Sequence, residues 1–351
     1  MICSVQQEPQ HLLITPSSVP RRILITGANG FLGSYVCRQC AAAGSEVLAI
    51  IRPGANRSRL PQDIPAIHIK EVLLANTTAV QDTIHHFVPD VVIHLAGSLN
   101  LKQGLPAVRE VYEANVATTL SIATACHRYH VPHLLLAGSC AEYAPQQRPL
   151  RETDPLEPHT PYAASKIAAH ALATGMCAGS QTVITNLRFF TLYGPQEQES
   201  RFISALIDAC LRNQPFAMTL GTQRRDYIYI SDAACATLLA ASQRPATNAV
   251  FNIGSGRAIT INALARRICH LLGRSTTLLQ RGALPFRPGE FPYLCANRSR
   301  ACLTLRWTPQ IPLDDGLRAT IAWRRYALGL ATSARQQLAP RRNHHDHPMT
   351  Q

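Results

Sequence analysis

The chain has 351 residues, 46% of them hydrophobic and 16% charged, enough for a globular α/β protein with one large domain, with or without a second lobe. No apolar run reaches the roughly 18 residues that span a bilayer, and residues 1–20 lack the basic and apolar blocks of a secretory signal, so we expect a cytoplasmic protein that binds no membrane. The formal net charge of +13 does not predict nucleic-acid binding, because the basic residues are dispersed and do not alternate with aromatic ones; an anionic small molecule explains the charge equally well.

The 11 cysteines are odd in number and scattered, mostly in apolar or helical settings. This usage predicts buried thiols in a reducing compartment. Cys37 and Cys40 form a CxxC pair inside a predicted helix, but no second pair matches it, and we predict no metal site. Residues 331–351 combine arginines and histidines with few apolar residues, which predicts a disordered tail.

The first predicted strand, 22–26, runs directly into a turn that contains Gly27, Gly30 and Gly33 and precedes a predicted helix over 34–43. Glycines in such a turn let the backbone change direction tightly, approach a pyrophosphate and pack the helix on its strand. The N–H groups that begin the helix then face the phosphates. These glycines are each three residues apart, whereas those of the commoner dinucleotide-binding fingerprint are two and then three residues apart. The strand before the turn and the helix after it nevertheless predict a dinucleotide site.

Further strands and helices are predicted to alternate along the chain. Continuous apolar runs predict strands at 46–51, 67–74, 91–95, 133–137 and 183–189, as expected for a parallel sheet covered on both faces. Helical patterns separate them at 80–87, 108–130 and 162–177. This alternation predicts an α/β fold with a Rossmann-type, doubly wound parallel sheet. The proline-rich segments 145–161 and 281–292 are predicted to be loops able to cover a site.

The end of the second strand bears on the choice of cofactor. Where an acidic residue normally binds the ribose 2′-hydroxyl, the sequence has Ile51 and Arg52, with Arg57 and Arg59 close behind. A guanidinium at this place pairs well with a 2′-phosphate. The sequence therefore favours NADP(H), with NAD(H) as the alternative.

A hydroxyl, a phenol and an amine follow in an order that suits hydride-transfer chemistry. Ser139 comes just after the strand at 133–137, and ligands of doubly wound sheets bind at such carboxyl ends. Thr160 and a first-turn proline start a helix that carries Tyr162 and Lys166 four residues apart, on one face. An ammonium beside a phenol lowers a pKa that is about 10 when unperturbed, so Tyr162 is predicted to act as general acid or base. Ser139 is predicted to hydrogen-bond the reacting oxygen of an alcohol or ketone.

Several further segments complete a family pattern that runs from about residue 21 to residue 325. Besides the glycine turn, Ser139 and Tyr162-x-x-x-Lys166, they are HLAG at 94–97, LRFFTLYGP at 187–195, RDYIY at 225–229, FNIG at 251–254 and RPGE at 287–290. With these segments the chain resembles the extended short-chain dehydrogenases/reductases, in the group of nucleotide-sugar epimerases, dehydratases and reductases.

The resemblance implies a role for each matching residue and a smaller C-terminal lobe that binds a nucleotide sugar. Ser139, Tyr162 and Lys166 are the implied catalytic residues. The implied cofactor contacts are Gly27, Asn29, Gly30, Phe31, Leu32, Gly33, Arg52, Leu95, Ala96, Gly97, Asn115, Tyr162 and Lys166. The implied substrate contacts are Ser139, Cys140, Thr191, Arg225 and Arg287, the two arginines on the diphosphate, where guanidinium groups pair bidentately with oxygens. The alternative for both arginines is a loop-bracing ion pair. Relatives often pair through the two helices expected here at 108–130 and 162–177, which implies a homodimer.

Departures from the family pattern narrow the chemistry. In 4,6-dehydratases the hydroxyl residue is followed by an Asp-Glu pair that removes water, whereas here Cys140 and Ala141 follow. Neither moves a proton as a carboxyl does, and Glu142, in an expected extended segment, is predicted to point to the other side. Dehydration is therefore disfavoured. Thr191 stands where the family usually has an asparagine, and Val72 where an acidic residue often meets the adenine.

These features predict an NADPH-dependent reductase of a nucleotide-linked 4-keto-6-deoxy sugar. The alternatives are an NAD-dependent nucleotide-sugar 4-epimerase, a reductase of a non-sugar ketone and a non-catalytic dinucleotide-binding protein. We expect an N-terminal extension at 1–20, a dinucleotide-binding domain at 21–190 and about 226–254, a substrate-binding lobe at 191–225 and 255–330, and the tail at 331–351.

Overall fold

A computed structural model of the chain describes residues 19–61, 63–102, 104–287 and 289–330. The predicted tail at 331–351, and residues 1–18 of the predicted N-terminal extension, lie outside the described residues. Within the described ranges no helix is both long and apolar enough to cross a membrane.

The larger sheet is parallel throughout. Its strands are β1 (Arg22–Thr26), β2 (Glu46–Ile51), β3 (Ile67–Glu71), β4 (Val91–His94), β5 (His133–Ser139), β6 (Val183–Phe189) and, later in the chain, β10 (Ala249–Ile253). Their order across the sheet is β3-β2-β1-β4-β5-β6-β10. The order reverses between β1 and β4, which is the switch point where doubly wound sheets bind ligands. The predicted fold class is confirmed.

Helices cover both faces of this sheet. They are α1 (Phe31–Ala42), α2 (Thr77–Phe87), α3 (Leu105–Val111), α4 (Thr118–Arg128), α5 (Pro161–Met176), α7 (Ile230–Ser242) and α9 (Ser299–Leu305). Alternate residues of a strand point to opposite faces, so Ile23 and Ile25 pack with α1 and α7 whereas Leu24 packs with α2 and α4. Because both faces of a strand such as β1 are buried, its apolar residues form a continuous run and do not alternate with polar residues.

A second core lies beside the main sheet. It contains β7 (Thr191–Tyr193), α6 (Phe202–Leu211), β8 (Phe216–Met218), β9 (Arg224–Tyr229), β11 (Ala258–Thr260), α8 (Ile261–Leu271), β12 (Leu279–Arg281), β13 (Tyr293–Leu294) and α10 (Leu313–Ala327). Strand β9 pairs with β7, β11 and β13, while β12 pairs with β8. The expected domain boundary at 226 falls inside β9, which belongs to this smaller sheet.

Element boundaries differ from prediction by a few residues, and one helix is irregular. The helix expected at 108–130 is α3 and α4 joined by a π-helical segment, Tyr112–Ala117. Strand β5 extends to Ser139, and β3 stops at Glu71 instead of residue 74.

Cys37 and Cys40 are free and fully buried in the core, where burial raises the pKa values of both thiols. Among the described residues there is no cluster of side chains that could hold a metal ion.

Candidate active site

The glycine turn lies at the carboxyl end of β1, beside the switch point. Gly27 has a φ of +65°, and a Cβ there would lie 2.6 Å from the Ala96 nitrogen. A Cβ on Gly33 would collide with the Gly27 carbonyl oxygen, so the helix packs against its strand only without a side chain. Helix α1 begins at Phe31 with no side-chain cap and no acidic residue in its first turn. These features fit a dinucleotide pyrophosphate at the start of α1.

Helix α5 carries Tyr162 and Lys166 to the same edge of the sheet. It begins at Pro161, and Thr160 Oγ1 accepts a hydrogen bond from the Ala163 N–H at 3.1 Å, as the sequence predicts. The Lys166 Nζ lies 5.9 Å from the centroid of the Tyr162 ring. The amine therefore stands beside the phenol.

Ser139 is the last residue of β5, with 8% of its surface exposed. Its side chain lies beside the phenol of Tyr162 and lowers the pKa of that phenol. Its Oγ also accepts a hydrogen bond from the Ala141 N–H at 3.2 Å. The structure thus brings together the two hydroxyls that the sequence marks as catalytic.

The pKa values of Tyr162 and Lys166 differ from the expectation drawn from their spacing. Burial raises the pKa of Tyr162 to about 12, although the side chain of Ser139 lowers it. Burial lowers the pKa of Lys166 to about 8, although Glu142 raises it. The prediction that the Tyr162 pKa lies below that of a free phenol is therefore wrong for the chain alone, because desolvation of the phenolate outweighs the charge of an amine 5.9 Å from the ring. Tyr162 needs a further positive charge beside it to act as a base near neutrality.

Glu142 occupies a different place from the one expected. It lies in a 3-10 turn, Cys140–Glu142, and is fully buried beneath Ser139. Its Oε1 accepts a hydrogen bond from the Ser139 N–H at 2.7 Å, and its Oε2 accepts one from Arg188 Nε at 2.8 Å. Both oxygens are engaged with the chain, so Glu142 positions Ser139. The signal for this was present, since Ser139-x-x-Glu142 is a capping-box pattern.

The segment after β4 forms the next wall of the site. Thr26 Oγ1 accepts a hydrogen bond from the Ala96 N–H at 3.3 Å, which ties this segment to β1. Asn115 in the π-helical segment accepts from the Ser98 N–H at 2.8 Å and donates to Ser98 O and Ser165 Oγ. A Cβ on Gly97 would lie 2.5 Å from Asn115 Oδ1. The Asn115 amide thus braces the predicted cofactor contacts at 95–97.

The predicted ribose-binding loop follows β2. Arg52 is exposed there, but Arg57 forms an ion pair with Glu71 at the end of β3, with Nη2 and Oε1 2.5 Å apart. Asn29 Nδ2 donates a hydrogen bond to Asn56 O at 2.9 Å, which ties the loop to the glycine turn. An acidic residue therefore does stand at this loop. It comes from the neighbouring strand, which the pattern at the end of β2 does not reveal.

The predicted substrate residues lie on the side of the second core. Arg225 on β9 forms an ion pair with Glu290 at 3.0 Å, the two side chains being 12% and 19% exposed. Glu290 Oε2 also accepts a hydrogen bond from the Arg287 N–H at 3.3 Å, while Arg287 itself is exposed. The structure thus shows for Arg225 the loop-bracing ion pair that was the alternative. Thr191 is half-buried on β7, and burial raises the pKa of the Cys140 thiol to about 12, so the thiol keeps its proton near neutrality.

Two charged residues between β7 and α6, Glu197 and Arg201, were not predicted from the sequence. The charge of Arg201 lowers the pKa of Tyr162. Arg201 Nε is 3.8 Å from Glu197 Oε1. Burial raises the pKa of Glu197 to about 7, against the lowering by Arg201. These side chains follow the family segment at 187–195, and no motif in the sequence marks them as part of the site.

Comparisons with known proteins agree with this geometry. The model of the NAD dependent epimerase/dehydratase family matches residues 23–254. The UDP-glucose 4-epimerase of Azospirillum brasilense is 28% identical over 330 residues, covering 87% of this chain and 92% of its own. The UDP-glucuronate 4-epimerase of Thermodesulfobacterium geofontis (strain OPF15) is 27% identical over 321 residues, covering 88% and 98%.

A solved structure shows the same likeness. MoeE5 in complex with UDP-glucose and NAD superimposes with a TM-score of 0.78 at 30% identity, over 88% of this chain and 99% of that one. The resemblance to extended short-chain dehydrogenases/reductases is confirmed. With a family match over more than half of its length, and with its glycine turn, serine, tyrosine and lysine gathered at one edge of the sheet, the chain belongs to the NAD dependent epimerase/dehydratase family.

Proposed function

We propose that the chain is an NAD-dependent 4-epimerase of a nucleotide-activated sugar. The observation that carries this proposal is the placement of Ser139 beside the Tyr162 phenol at the carboxyl end of β5, at the sheet edge that also holds the glycine turn. One acid/base group beside one hydride carrier can both oxidise an alcohol and reduce the resulting ketone. Two relatives carry the name 4-epimerase, and a structural neighbour holds UDP-glucose with NAD.

The residues divide the work of this reaction between them. NAD, when bound, supplies the carbon that accepts and returns the hydride, and its positive ring is the further charge that the Tyr162 phenol needs. Tyr162 would take the proton of the sugar hydroxyl when the alcohol is oxidised, and would return it to the carbonyl oxygen when the ketone is reduced from the opposite face. Ser139 donates a hydrogen bond to the same oxygen, and the Lys166 ammonium favours the phenolate.

The predicted reductase is the second candidate, and it is less well supported than the epimerase. It rests on Arg52, since a 2′-phosphate indicates NADPH and net consumption of the reduced cofactor. The relatives and the structural neighbour instead favour a reaction that returns its hydride to the sugar. Dehydration lacks a proton carrier, because Cys140 keeps its thiol proton and both oxygens of Glu142 are engaged.

We infer that NAD(H) is preferred to NADP(H), against the prediction from β2. Arg57 is neutralised by Glu71, and Arg59 donates to the Gln196 carbonyl at 3.2 Å. Of these three arginines Arg52 is then left to meet a 2′-phosphate, with the Glu71 carboxylate close by to repel it. The solved neighbour is likewise a complex with NAD.

The substrate side of this proposal keeps the predicted residues. Arg225 and Arg287 are proposed to bind the diphosphate, for which Arg225 must exchange Glu290 for phosphate oxygens. The division into a dinucleotide-binding domain and a substrate lobe is part of the same proposal. It places the sugar between the carboxyl ends of β5 and β6 and the small sheet around β9.

We also propose that the chain forms a homodimer through α3 and α5. Apolar side chains on these helices, and on the first residue of the π-helical segment that continues α3, are 41–62% exposed. They are spaced three or four residues apart: Leu105, Val108, Tyr112, Leu172 and Met176. Exposed apolar patches of this kind mark interfaces. A second copy covers them without disturbing the site, because Leu172 and Met176 lie in the last two turns of α5 whereas Tyr162 and Lys166 lie in the first two.

The decisive experiment is an incubation of the purified protein with UDP-glucose or UDP-glucuronate, without added cofactor, followed by NMR. The epimerase predicts the appearance of the 4-epimer at constant absorbance of reduced nicotinamide. Stoichiometric consumption of NADPH with a 4-keto sugar, and no epimer, would establish the reductase instead. The control is Tyr162→Phe, which removes the acid/base oxygen and should slow the reaction by about 10²–10⁴-fold. If this variant keeps full activity, the assigned chemistry is wrong.

A further inference from the structure

A small cavity lies on the inner side of α5, directly behind the catalytic lysine. It has a volume of about 10 Å³ and lies against β4, β5, β6 and α4, and its polar lining comes from His94, Thr119, Lys166, His170 and Asn186. A cavity of roughly 10–15 Å³ holds one water molecule if two or more polar groups reach it. The size and the lining both meet this condition.

Unsatisfied polar atoms face this space. His94 and Asn186 are 3% and 1% exposed, yet His94 Nε2 and both amide atoms of Asn186 have no hydrogen-bond partner among the residues that the structure describes. Buried polar groups are almost always paired with protein or with ordered water. Gly138 contributes to the arrangement, because a Cβ there would lie 2.5 Å from Asn186 Oδ1. The glycine leaves room for the amide to lie against β5.

The contacts of His94 allow a tautomer that directs a donor into the cavity. Thr26 Oγ1 accepts the Ala96 N–H and lies 2.7 Å from His94 Nδ1, where the threonine hydroxyl can donate its own proton to Nδ1. In that tautomer the ring proton of the neutral imidazole is on Nε2, which is the atom without a partner among the described residues. Burial, and then the charge of Lys166, holds the pKa of His94 at about 3, so the ring stays neutral.

Resting on the proposed epimerase, we propose that the cavity binds one ordered water that joins His94 and Asn186 to the Lys166 amine, and that both residues position this lysine. The water accepts hydrogen bonds from His94 Nε2 and Lys166 Nζ and donates one to Asn186 Oδ1. It is the polar contact that keeps the ammonium charged on the buried side of α5. Through β1, β4 and this water, the glycine turn and the lysine become one hydrogen-bonded unit.

Several titratable groups surround the lysine and set its ionisation. His94 faces it from β4 and Glu142 from the turn after β5, while Tyr162 and His170 share its helix. Arg188 on β6 acts on His170, whose pKa is lowered to about 4 first by burial, so that ring is also neutral. Glu142 is thus the group that supports the ammonium by charge, and the water supports it by hydrogen bonding.

A high-resolution crystal structure of the full chain tests the water without any assay of activity. One density peak within hydrogen-bond distance of His94 Nε2, Asn186 and Lys166 Nζ is expected. A dry cavity, or direct contact between these side chains, would overturn the proposal whatever the enzyme does. If the water is present but no UDP-sugar reacts, it is the proposed function that fails.

The positioning role is tested by the pH dependence of kcat. The reaction needs the Lys166 ammonium, so kcat falls as pH rises through the pKa of the lysine, which burial sets near 8. This fall is the alkaline limb of the plot of kcat against pH. Asn186→Leu fills the cavity with apolar atoms and should move this limb to lower pH by about one unit. His94→Gln keeps an N–H directed at the water and should leave the limb in place.

The matched control is Thr185→Val, on the same strand but facing the opposite side of the sheet, where its hydroxyl lies 2.9 Å from His133 Nε2. It removes a buried hydroxyl and should leave the limb unchanged. Equal shifts in Asn186→Leu and Thr185→Val would show a general loss of stability and refute the positioning role. An unshifted limb in a folded Asn186→Leu protein would refute it as well.

Discussion

Replacing Glu142 by alanine should destabilise the protein strongly, because it breaks a buried ion pair on one side only. The Arg188 and Glu142 side chains are 4% and 0% exposed, and Nε and Oε2 are 2.8 Å apart. Removing one partner of such a pair typically costs about 3–5 kcal/mol, since the remaining charge stays buried without compensation. The Ser139 N–H loses its acceptor at the same time. We therefore expect the free energy of unfolding to fall by about 3–5 kcal/mol.

The assay is urea unfolding followed by circular dichroism. The unfolding free energies of the variants are compared only where the slope of free energy against urea concentration is the same, since an equal slope shows that the same surface is exposed on unfolding. The matched control is Glu46→Ala, whose ion pair with Arg22 joins side chains that are 45% and 37% exposed. Exposed pairs of this kind are worth about 0–1 kcal/mol. Glu142→Gln keeps the shape and an acceptor for Ser139, and should lose less than alanine. If Glu142→Ala is no less stable than Glu46→Ala, the account of Glu142 as a buried support of Ser139 is refuted.

Three further predictions concern acid stability, cofactor choice and assembly. Burial lowers the pKa of His133 to about 4, below the ordinary 6.5, so the neutral ring contributes its full share of the free energy of unfolding above pH 6.5 and loses it as pH falls towards 4. His133→Gln should therefore reduce the slope of the free energy of unfolding against pH in that window, by about 1.4 kcal/mol per pH unit at most. An unchanged slope would contradict this. Glu71→Gln frees Arg57 and should raise the affinity for NADP relative to NAD several-fold by calorimetry, whereas an unaltered ratio would exclude Glu71 as a determinant. Leu172→Arg places a charge in the proposed dimer face and should give monomers in analytical ultracentrifugation; a variant that still sediments as a dimer would show that the chains associate elsewhere.

The site shows how far spacing along a helix predicts chemistry. The phenol and amine four residues apart, the capped start of α5 and the serine after a buried strand are local features, and the structure has all of them. The ionisation of the phenol and the amine is not a local feature of this kind. It depends on how much water the surrounding strands and helices exclude, and burial moves the pKa of Tyr162 upwards, opposite to the effect of the amine alone.

Ion pairs between residues that are distant along the chain could not be predicted either, because they also depend on which elements pack together. Glu71 and Arg57 are 14 residues apart, and Glu142 and Arg188 are 46 apart. They meet because β3 lies beside β2 and β6 beside β5 in the sheet. Sequence order does not reveal which strands become neighbours, so neither the pairing of Arg57 with Glu71 nor that of Glu142 with Arg188 could be read from a motif.

The amino-acid order was sufficient for the fold class, the glycine turn and the catalytic hydroxyls, since turn geometry, helix capping and double-sided burial are encoded within a few neighbouring residues. Folding alone settled the pairing of Arg225 with Glu290, the pairing of Glu142 with Arg188 and the cavity behind Lys166. Those features arise where separate strands and helices converge, and there desolvation and long-range charge pairing outweigh any preference that a single segment carries.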